Sequence, residues 1–176
     1  MKTIAAFSGP HRFLSNFWSC CIAFEGHSYR TVEHAFQAAK TLDEDERRRI
    51  RNEPDAAGAK KRGKHATLRE DWESIKVDVM RGLLRQKFGT DPLRSKLLKT
   101  GKAKLVEGNW WGDKFWGVCD GKGENHLGLL LMEIREELRV AKEKPKSISC
   151  SMGVGCDEAG VCYAEANGQP EQCPKA

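Results

Sequence analysis

The chain has 176 residues and a mass of 19.8 kDa; 39% of its residues are hydrophobic, 31% are charged, and the formal net charge is +5 at pH 7. This composition predicts one folded domain with a short appendage and excludes a collagen-like or wholly disordered chain. No apolar run approaches the roughly 20 residues of a membrane span, and the N-terminus reaches Gly9-Pro10 too early for a secretory signal. We therefore expect a cytoplasmic protein without membrane association, whose seven cysteines are not first interpreted as disulfides.

Charge is unevenly distributed along the chain. The last 27 residues carry one lysine and four acidic residues, so the net positive charge lies in the part before them. A basic body suits an anionic partner such as a phosphorylated metabolite, a nucleotide or a nucleic acid. The alternative is an ordinary basic domain without such a partner.

Hydrophobic periodicity, caps and turn residues divide the chain into short elements. They predict strands over residues 2–7, 20–24 and 104–107, with a turn at Glu25-Gly26 after the second, and helices over 32–41, 43–51, 54–62, 68–88 and 127–144, with a further helix opening at Asp91-Pro92. Residues 108–124, rich in Gly, Trp and Asp, are typical of a long loop. The prediction is a compact, mainly α domain (α+β with a few short strands) over residues 1–144, followed by a Cys-rich appendage over 145–176.

The predicted helix after Thr31 carries the sharpest arrangement of polar side chains. At about 100° per residue, Glu33, Gln37 and Lys40 lie together beside its apolar stripe. Glu33 and Lys40 are seven residues apart, about 10 Å along the axis and too far for an ion pair between adjacent turns. They could bracket a small substrate group. They could also simply complement the helix dipole, with an acid in the first turn and a lysine in the last.

The Trp-rich segment at residues 109–117 is a second candidate site. Trp110 and Trp111 offer faces that can stack on bases, and Gly112 lets the backbone approach a ligand closely. Lys122 lies between two glycines just before the helix predicted to start near Asn125, and a helix N-terminus attracts anions. Such loops also cover cores without binding any ligand, and this alternative stays open.

Two polar segments complete the candidates. In the run Arg12-Phe13-Leu14-Ser15-Asn16-Phe17, Ser15 and Asn16 could grip a substrate at the floor of a pocket, or they could form a turn or helix cap. The basic run at residues 60–65 could hold phosphates or form a solvated helix end.

Four motifs in this order resemble a known family. They are Arg12-Phe13-Leu14-Ser15-Asn16-Phe17, then Thr31-Val32-Glu33-His34-Ala35-Phe36-Gln37-Ala38-Ala39-Lys40, then Trp111-Gly112-Asp113, and then Gly123-Glu124-Asn125-His126-Leu127-Gly128 before a Leu-rich helix. The ordered set, over about residues 3–140, is similar to the NADAR (YbiA-like) family of N-glycosidases. The resemblance implies a mainly helical domain that hydrolyses the bond between ribose and an amine or base.

The resemblance also implies substrates and residue roles. Family substrates include phosphorylated riboflavin-pathway ribosylamines and ADP-ribose on the exocyclic amine of guanine in DNA; members of the second kind are antitoxins to DNA ADP-ribosyltransferases. It implies a Schiff-base step at Lys40, with Glu33 and Asp113 as acid–base candidates. Such a step needs no metal or cofactor, but it needs a neutral amine, which partial burial of Lys40 would favour. The rival route is direct displacement through an oxocarbenium-like state, with Lys40 binding phosphate.

Substrate recognition is assigned by inference from residue chemistry. The Trp loop could stack adenine or guanine, and Arg12 or Lys122 could hold a diphosphate. The residues predicted to bind substrate are Arg12, Ser15, Asn16, Phe17, Gln37, Trp110, Trp111, Gly112, Lys122 and Asn125. Residues 115–120 differ from the glycine-rich stretch expected there, which leaves substrate preference open. The functional alternatives are clearance of riboflavin-pathway ribosylamines only, and a non-catalytic nucleotide or nucleic-acid binding module.

The appendage contains four of the seven cysteines. Cys150, Cys156, Cys162 and Cys173 are spaced C-x5-C-x5-C-x10-C, which is not the paired CxxC pattern of most zinc sites. A segment this short can scarcely build a core of its own. Three alternatives remain: a small structural Zn site, reduced thiols packed against the body, and disulfides.

Overall fold

Six α-helices carry most of the regular structure in the computed structural model of the chain, which describes residues 2–143. They are α1 (Val32–Ala38), α2 (Glu44–Arg51), α3 (Ala56–Gly63), α4 (Trp72–Phe88), α5 (Leu93–Lys99) and α6 (His126–Glu143), preceded by a 3₁₀ helix over Gly9–Leu14. The side chains of Thr31, Asp43 and Asp55 cap the first three by accepting a backbone N–H of the first turn. No helix of this described range is both long and apolar enough to cross a membrane.

The strands form three separate two-stranded sheets within the described residues. Strand β1 (Thr3–Ile4) pairs in parallel with β4 (Lys104–Leu105), β2 (Ser19–Phe24) pairs antiparallel with β3 (His27–Thr31), and β5 (Gly108–Asn109) pairs in parallel with β6 (Val118–Cys119). Glu25 and Gly26 join β2 to β3 with positive φ angles of 45° and 79°. Positive φ angles at both turn residues are typical of a tight two-residue hairpin, a geometry that favours glycine.

Helix α1 lies inside the core. It packs against α2, α3, α4 and the β2–β3 hairpin, and all seven of its residues are buried. Three of them, Glu33, His34 and Gln37, are polar. Burying a polar side chain is costly unless a hydrogen bond compensates it, so these residues need a structural or chemical explanation. The His34 ring has one: Nδ1 lies 2.8 Å from the Thr31 hydroxyl and Nε2 lies 3.2 Å from the Glu53 carbonyl.

The structure confirms the predicted class, a mainly helical fold with a few short strands. It differs in detail. The second hairpin strand, β3, was not predicted, and the predicted loop at 108–124 contains β5 and β6. The long helix α4 begins at Trp72 rather than at Leu68, whose side chain is 53% exposed. The predicted division at residue 144 stays a prediction, and Cys150, Cys156, Cys162 and Cys173 lie outside the described residues.

Candidate active site

A cavity of about 400 Å³ gathers most of the predicted site residues. It is lined by Ser15, Asn16, Phe17, Glu33, Phe36, Gln37, Lys40, Lys60, Met80, Glu107, Trp111, Asp113, Trp116 and Leu127. All three predicted catalytic residues are in this set. So are five of the ten residues predicted to bind substrate. Three acidic and two basic side chains therefore share one pocket with several aromatic rings.

Glu33 is held in place from two sides. Its backbone N–H donates to the carbonyl of Asn16 at 3.1 Å, and its Oε1 accepts a hydrogen bond from Gln37 Nε2 at 2.8 Å. Gly63 of α3 packs closely on the Gln37 amide, since a Cβ there would lie 2.1 Å from Gln37 Oε1. With 6% of its surface exposed, Glu33 has a raised pKa because burial disfavours the carboxylate. The hydrogen bond from Gln37 opposes this shift.

Lys40 follows α1 in the turn after its last residue, and it is partly buried. Its backbone carbonyl accepts from the N–H of Arg69 at 2.8 Å, which fixes the main chain there. Burial lowers the pKa of the amine, while the charge of Glu33 acts in the opposite direction. Within residues 2–143 the Lys40 amine has no hydrogen bond or ion pair, although it lies 6.0 Å from the centre of the Phe36 ring. The amine is thus available to a ligand.

Glu107 is a further acid in the pocket. Burial raises its pKa to about 7, with the negative charge of Asp113 as the second cause. Its backbone N–H donates to Asn125 Oδ1 at 2.9 Å, and Asn125 Nδ2 donates to the Leu105 carbonyl at 2.9 Å. Its own Oε2 is buried and has no hydrogen-bond partner among the described residues. Such a carboxyl can both release and accept a proton near neutral pH.

Asp113 organises the loop that carries it. Its Oδ1 accepts from the N–H groups of Phe115 at 3.1 Å and Trp116 at 2.9 Å. The Asn109 side chain clamps the same residue from the other side, through the backbone N–H and carbonyl of Asp113. These contacts commit one carboxylate oxygen of Asp113 to the loop. The other oxygen has no hydrogen bond among the described residues.

Lys60 lies between two aromatic rings at the pocket. Its Nζ is 5.1 Å from the centre of the Trp111 ring and 6.0 Å from that of Phe17. It comes from α3, in the basic run at residues 60–65. Its amine has no hydrogen bond or ion pair within the described chain. A cation so placed can neutralise a phosphate beside an aromatic surface.

Lys87 holds the main chain of one residue that lines the cavity. This lysine of α4 is 2% exposed, and its Nζ donates to the Ser15 carbonyl at 2.6 Å. Burial lowers its pKa to about 7, an effect that the neighbouring Cys20 and Glu107 partly oppose. It fixes the main chain at Ser15, one of the residues that line the cavity.

The remaining predicted residues do not line the cavity. Arg12 and Lys122 are exposed, and Trp110 is 86% exposed with its ring edge-on to Trp111 at 5.8 Å. Gly112 adopts a φ of 85°, which suits a turn in the loop. Asn125 is buried and both ends of its amide hold backbone, so in this structure it positions Glu107.

Sequence reasoning did not propose Glu107 as a catalytic residue, nor Phe36, Met80, Trp116 and Leu127 as pocket residues. Glu107 follows a two-residue strand and its clamp, Asn125, is 18 positions away, so no local pattern marks it. In the sequence, Lys60 is one member of the basic run at residues 60–65. Among the described residues, no group of three or more His, Cys, Asp or Glu side chains is arranged to hold a metal ion.

Comparisons with known proteins give the family. The NADAR domain model matches residues 6–139. N-glycosidase YbiA of Escherichia coli is 46% identical over 132 residues, which cover 73% of this chain and 82% of that protein. An N-glycosidase of Nostoc punctiforme is 39% identical over 137 residues, covering 74% and 87%. A riboflavin biosynthesis protein of Vibrio vulnificus is 41% identical over 133 residues, 73% of this chain but 36% of that protein.

A solved structure agrees with the sequence match. The NMR structure of E. coli YbiA superimposes with a TM-score of 0.73 at 40% identity, covering 85% of this chain and 94% of that one. The resemblance that the four motifs predicted is confirmed. The chain belongs to the NADAR domain family.

Proposed function

We propose that the chain hydrolyses the N-ribosyl bond of an ADP-ribosylated guanine base in DNA, or of a related phosphorylated ribosylamine, through a Schiff base on Lys40. The reaction class itself follows from the family: relatives across most of the chain are N-glycosidases, hydrolases that act on N-glycosyl bonds. One observation carries the finer proposal. The partly buried, unpaired Lys40 amine shares a cavity with two acids whose pKa values burial raises, Glu33 and Glu107.

The reaction begins when the ribose ring opens and leaves C1 electrophilic. The neutral Lys40 amine attacks C1, and the bond from C1 to the base or amine nitrogen breaks while that nitrogen receives a proton. Water then adds to the imine left on Lys40, releases the sugar as an aldehyde and restores the amine. The lowered pKa of Lys40 increases its neutral fraction, as the first step requires.

Protons must move between the ring oxygen, the leaving nitrogen and water. Glu107 suits this task because its pKa is about 7 and its Oε2 lacks a partner within the described chain. Glu33 also holds a raised pKa and is fixed by Gln37. Asp113 has one oxygen committed to its loop. We therefore assign proton transfer to Glu33 and Glu107, and to Asp113 the shaping of the loop and of the electrostatic field.

The polar lining supports a substrate rich in hydrogen-bond donors. Three residues of the cavity, Asn16, Gln37 and Glu107, each have a buried side-chain oxygen without a partner in the described residues. Buried acceptors are normally satisfied, and ribose hydroxyls and an exocyclic amine offer the missing donors. Lys60 between its two rings provides a site for phosphate or for a stacked base.

The DNA substrate also implies a partner and a place of action. For the DNA substrate, a DNA ADP-ribosyltransferase toxin would be the counterpart, and the cytoplasm the place of action. We propose no catalytic cofactor; a structural Zn held by Cys150, Cys156, Cys162 and Cys173 remains a proposal for the tail. The second candidate is clearance of phosphorylated ribosylamines only, which the name of the Vibrio vulnificus relative, a riboflavin biosynthesis protein, favours. The third, a binding module without turnover, has only the aromatic and basic surface in its support.

The test is product release from two substrates. Purified protein is incubated with guanine-ADP-ribosylated DNA and, separately, with a phosphorylated pyrimidine ribosylamine, and mass spectrometry follows ADP-ribose or ribose-phosphate. Release from the DNA that Lys40→Ala abolishes supports the first proposal. Release from the small molecule alone supports the second, and silence on both from folded protein supports the third. Lys40→Arg keeps the cation but cannot form the imine, so full turnover by that variant would refute the Schiff base.

A further inference from the structure

A second concave site lies outside the candidate active site. Six of the residues that line it, Lys2, His11, Phe13, Lys96, Lys99 and Thr100, are here named the basic pocket, whose volume is about 260 Å³. None of them lines the larger cavity. The three lysines are exposed, and the Lys96 amine lies 5.9 Å from the centre of the Phe13 ring.

The charge of the basic pocket is not neutralised by the protein. Between Asp91 and Glu107 the chain carries five basic residues and no acid. None of the three pocket lysines takes part in an ion pair or side-chain hydrogen bond within residues 2–143, where most arginines of the helices are paired. Glu136 is an acid that interacts electrostatically with Lys102, a lysine of the same basic stretch. Glu136 is, however, paired with Arg139 at 2.8 Å.

Other polar groups accompany the lysines. His11 has a buried Nδ1 with no hydrogen-bond partner in the described chain. Thr100 of the same pocket donates its hydroxyl to the Leu97 carbonyl at 2.6 Å and accepts from Arg135 at 2.7 Å, which brings a further cation beside the lysines. Several cations in one concave site suit phosphate oxygens. A lipid surface fits less well, because binding there also needs exposed apolar side chains, and the large exposed hydrophobic residues of the described chain all lie elsewhere.

One short segment of the chain contributes residues to both the basic pocket and the candidate active site. Phe13 lines the first and Ser15 the second, and because they are two residues apart their Cα atoms lie within about 7 Å of each other. Lys96 also lies 5.5 Å from the Trp18 ring, while Lys60 of the active site lies 6.0 Å from the ring of the preceding residue, Phe17. A polynucleotide that places one base in the active site has phosphates within reach of this distance.

We propose that the basic pocket binds the phosphodiester backbone of a nucleic acid strand and so holds a modified base at the adjacent active site. This inference rests on the proposed function for its purpose, but its binding step does not require turnover. The site recognises backbone phosphates, and it is indifferent to base sequence.

The test measures binding of unmodified DNA by the full chain. A fluorescein-labelled single strand of about 20 nucleotides is titrated by anisotropy at several salt concentrations, with the double variant Lys96→Gln, Lys99→Gln. The matched control, Arg48→Gln, Arg49→Gln, removes two exposed positive charges from α2, away from both pockets. Thermal melts establish that both variants fold. We expect the pocket variant to bind about 5-fold or more weaker for each lost phosphate contact at 0.1 M salt, and to lower the salt slope by about 1.4.

The changes in DNA affinity of the pocket variant and of the control variant test the proposal. A loss confined to the pocket variant supports it. Equal losses in both variants, or no binding by the unmutated chain, overturn it, as does preferential binding to phosphatidylserine vesicles over DNA. If DNA binding depends on these lysines but no ADP-ribose is released from modified DNA, only the proposed function fails. If release occurs without such binding, only this inference fails.

Discussion

Replacement of Glu107 by glutamine should stabilise the protein while it removes activity. Burial raises the pKa of this carboxyl from 4.5 to about 7, so the folded chain binds its proton more tightly than the unfolded chain does. The stability is therefore highest below pH 4.5, the pKa of this carboxyl in the unfolded chain, and it declines as the pH rises from there through about 7. At pH 8 a shift of this size corresponds to about 3 kcal/mol of lost stability, since each pKa unit is about 1.4 kcal/mol.

Glutamine keeps the shape but cannot ionise, so the variant escapes this cost. We expect Glu107→Gln to raise the free energy of unfolding by about 2–3 kcal/mol at pH 8; the pKa of about 7 already includes the opposing charges of Lys60 and Lys87, so nothing further is subtracted for them. The gain should shrink to about 1 kcal/mol or less at pH 5, where the folded carboxyl already holds its proton.

Urea denaturation of both proteins at pH 5 and pH 8, followed by tryptophan fluorescence, measures this difference. Turnover is measured on the same samples, and it should fall at least about 100-fold, as for loss of a general acid. A variant no more stable at pH 8 than the unmutated chain would show that Glu107 is not held in a desolvating site. Full turnover would show that its proton is not used.

Three further substitutions test neighbouring parts of the site. Gln37→Leu removes the 2.8 Å hydrogen bond to Glu33, so turnover should fall about 10- to 100-fold and the pH profile should show a higher pKa for Glu33; an unchanged profile contradicts its role. Asn125→Ala leaves the Glu107 N–H and the Leu105 carbonyl without their partner and places alanine at a φ of 58°, so the free energy of unfolding from urea melts should fall by about 3–5 kcal/mol. A fall below about 1 kcal/mol would contradict the role of Asn125 in holding these groups. Trp110→Ala should leave stability within about 0.5 kcal/mol, because the side chain is 86% exposed, but weaken a base-containing substrate about 10-fold in KM; an unchanged KM removes it from the site.

The sequence predicted the elements whose signals are local. Thr31 as a cap, the acid-to-base gradient over residues 43–51 and the Leu-rich stripe after His126 all correspond to observed helices. Helix periodicity placed Glu33, Gln37 and Lys40 on one face, and the structure puts all three on one cavity. That α1 is buried on every side could not be read from its pattern, since a polar face normally predicts solvent.

The residues that escaped prediction depend on contacts between distant parts of the chain. Glu107 owes its raised pKa to burial by the folded protein, and its position to Asn125. Lys60 looks like any other member of a charge run until Phe17 and Trp111 are brought beside it. The loop at 108–124 acquires two strands because β5 and β6 pair with each other, at a spacing that no local turn signal marks.

If Lys40 forms a covalent imine with the sugar, borohydride added during turnover reduces that imine and fixes the sugar on this lysine. Enzyme turning over a phosphorylated ribosylamine or ADP-ribosylated DNA is reduced, digested and analysed by peptide mass spectrometry. We expect a reduced sugar adduct on Lys40 that is absent without substrate and absent in Lys40→Arg. Continued turnover with no adduct on this residue, together with full activity of the arginine variant, would rule out the Schiff base.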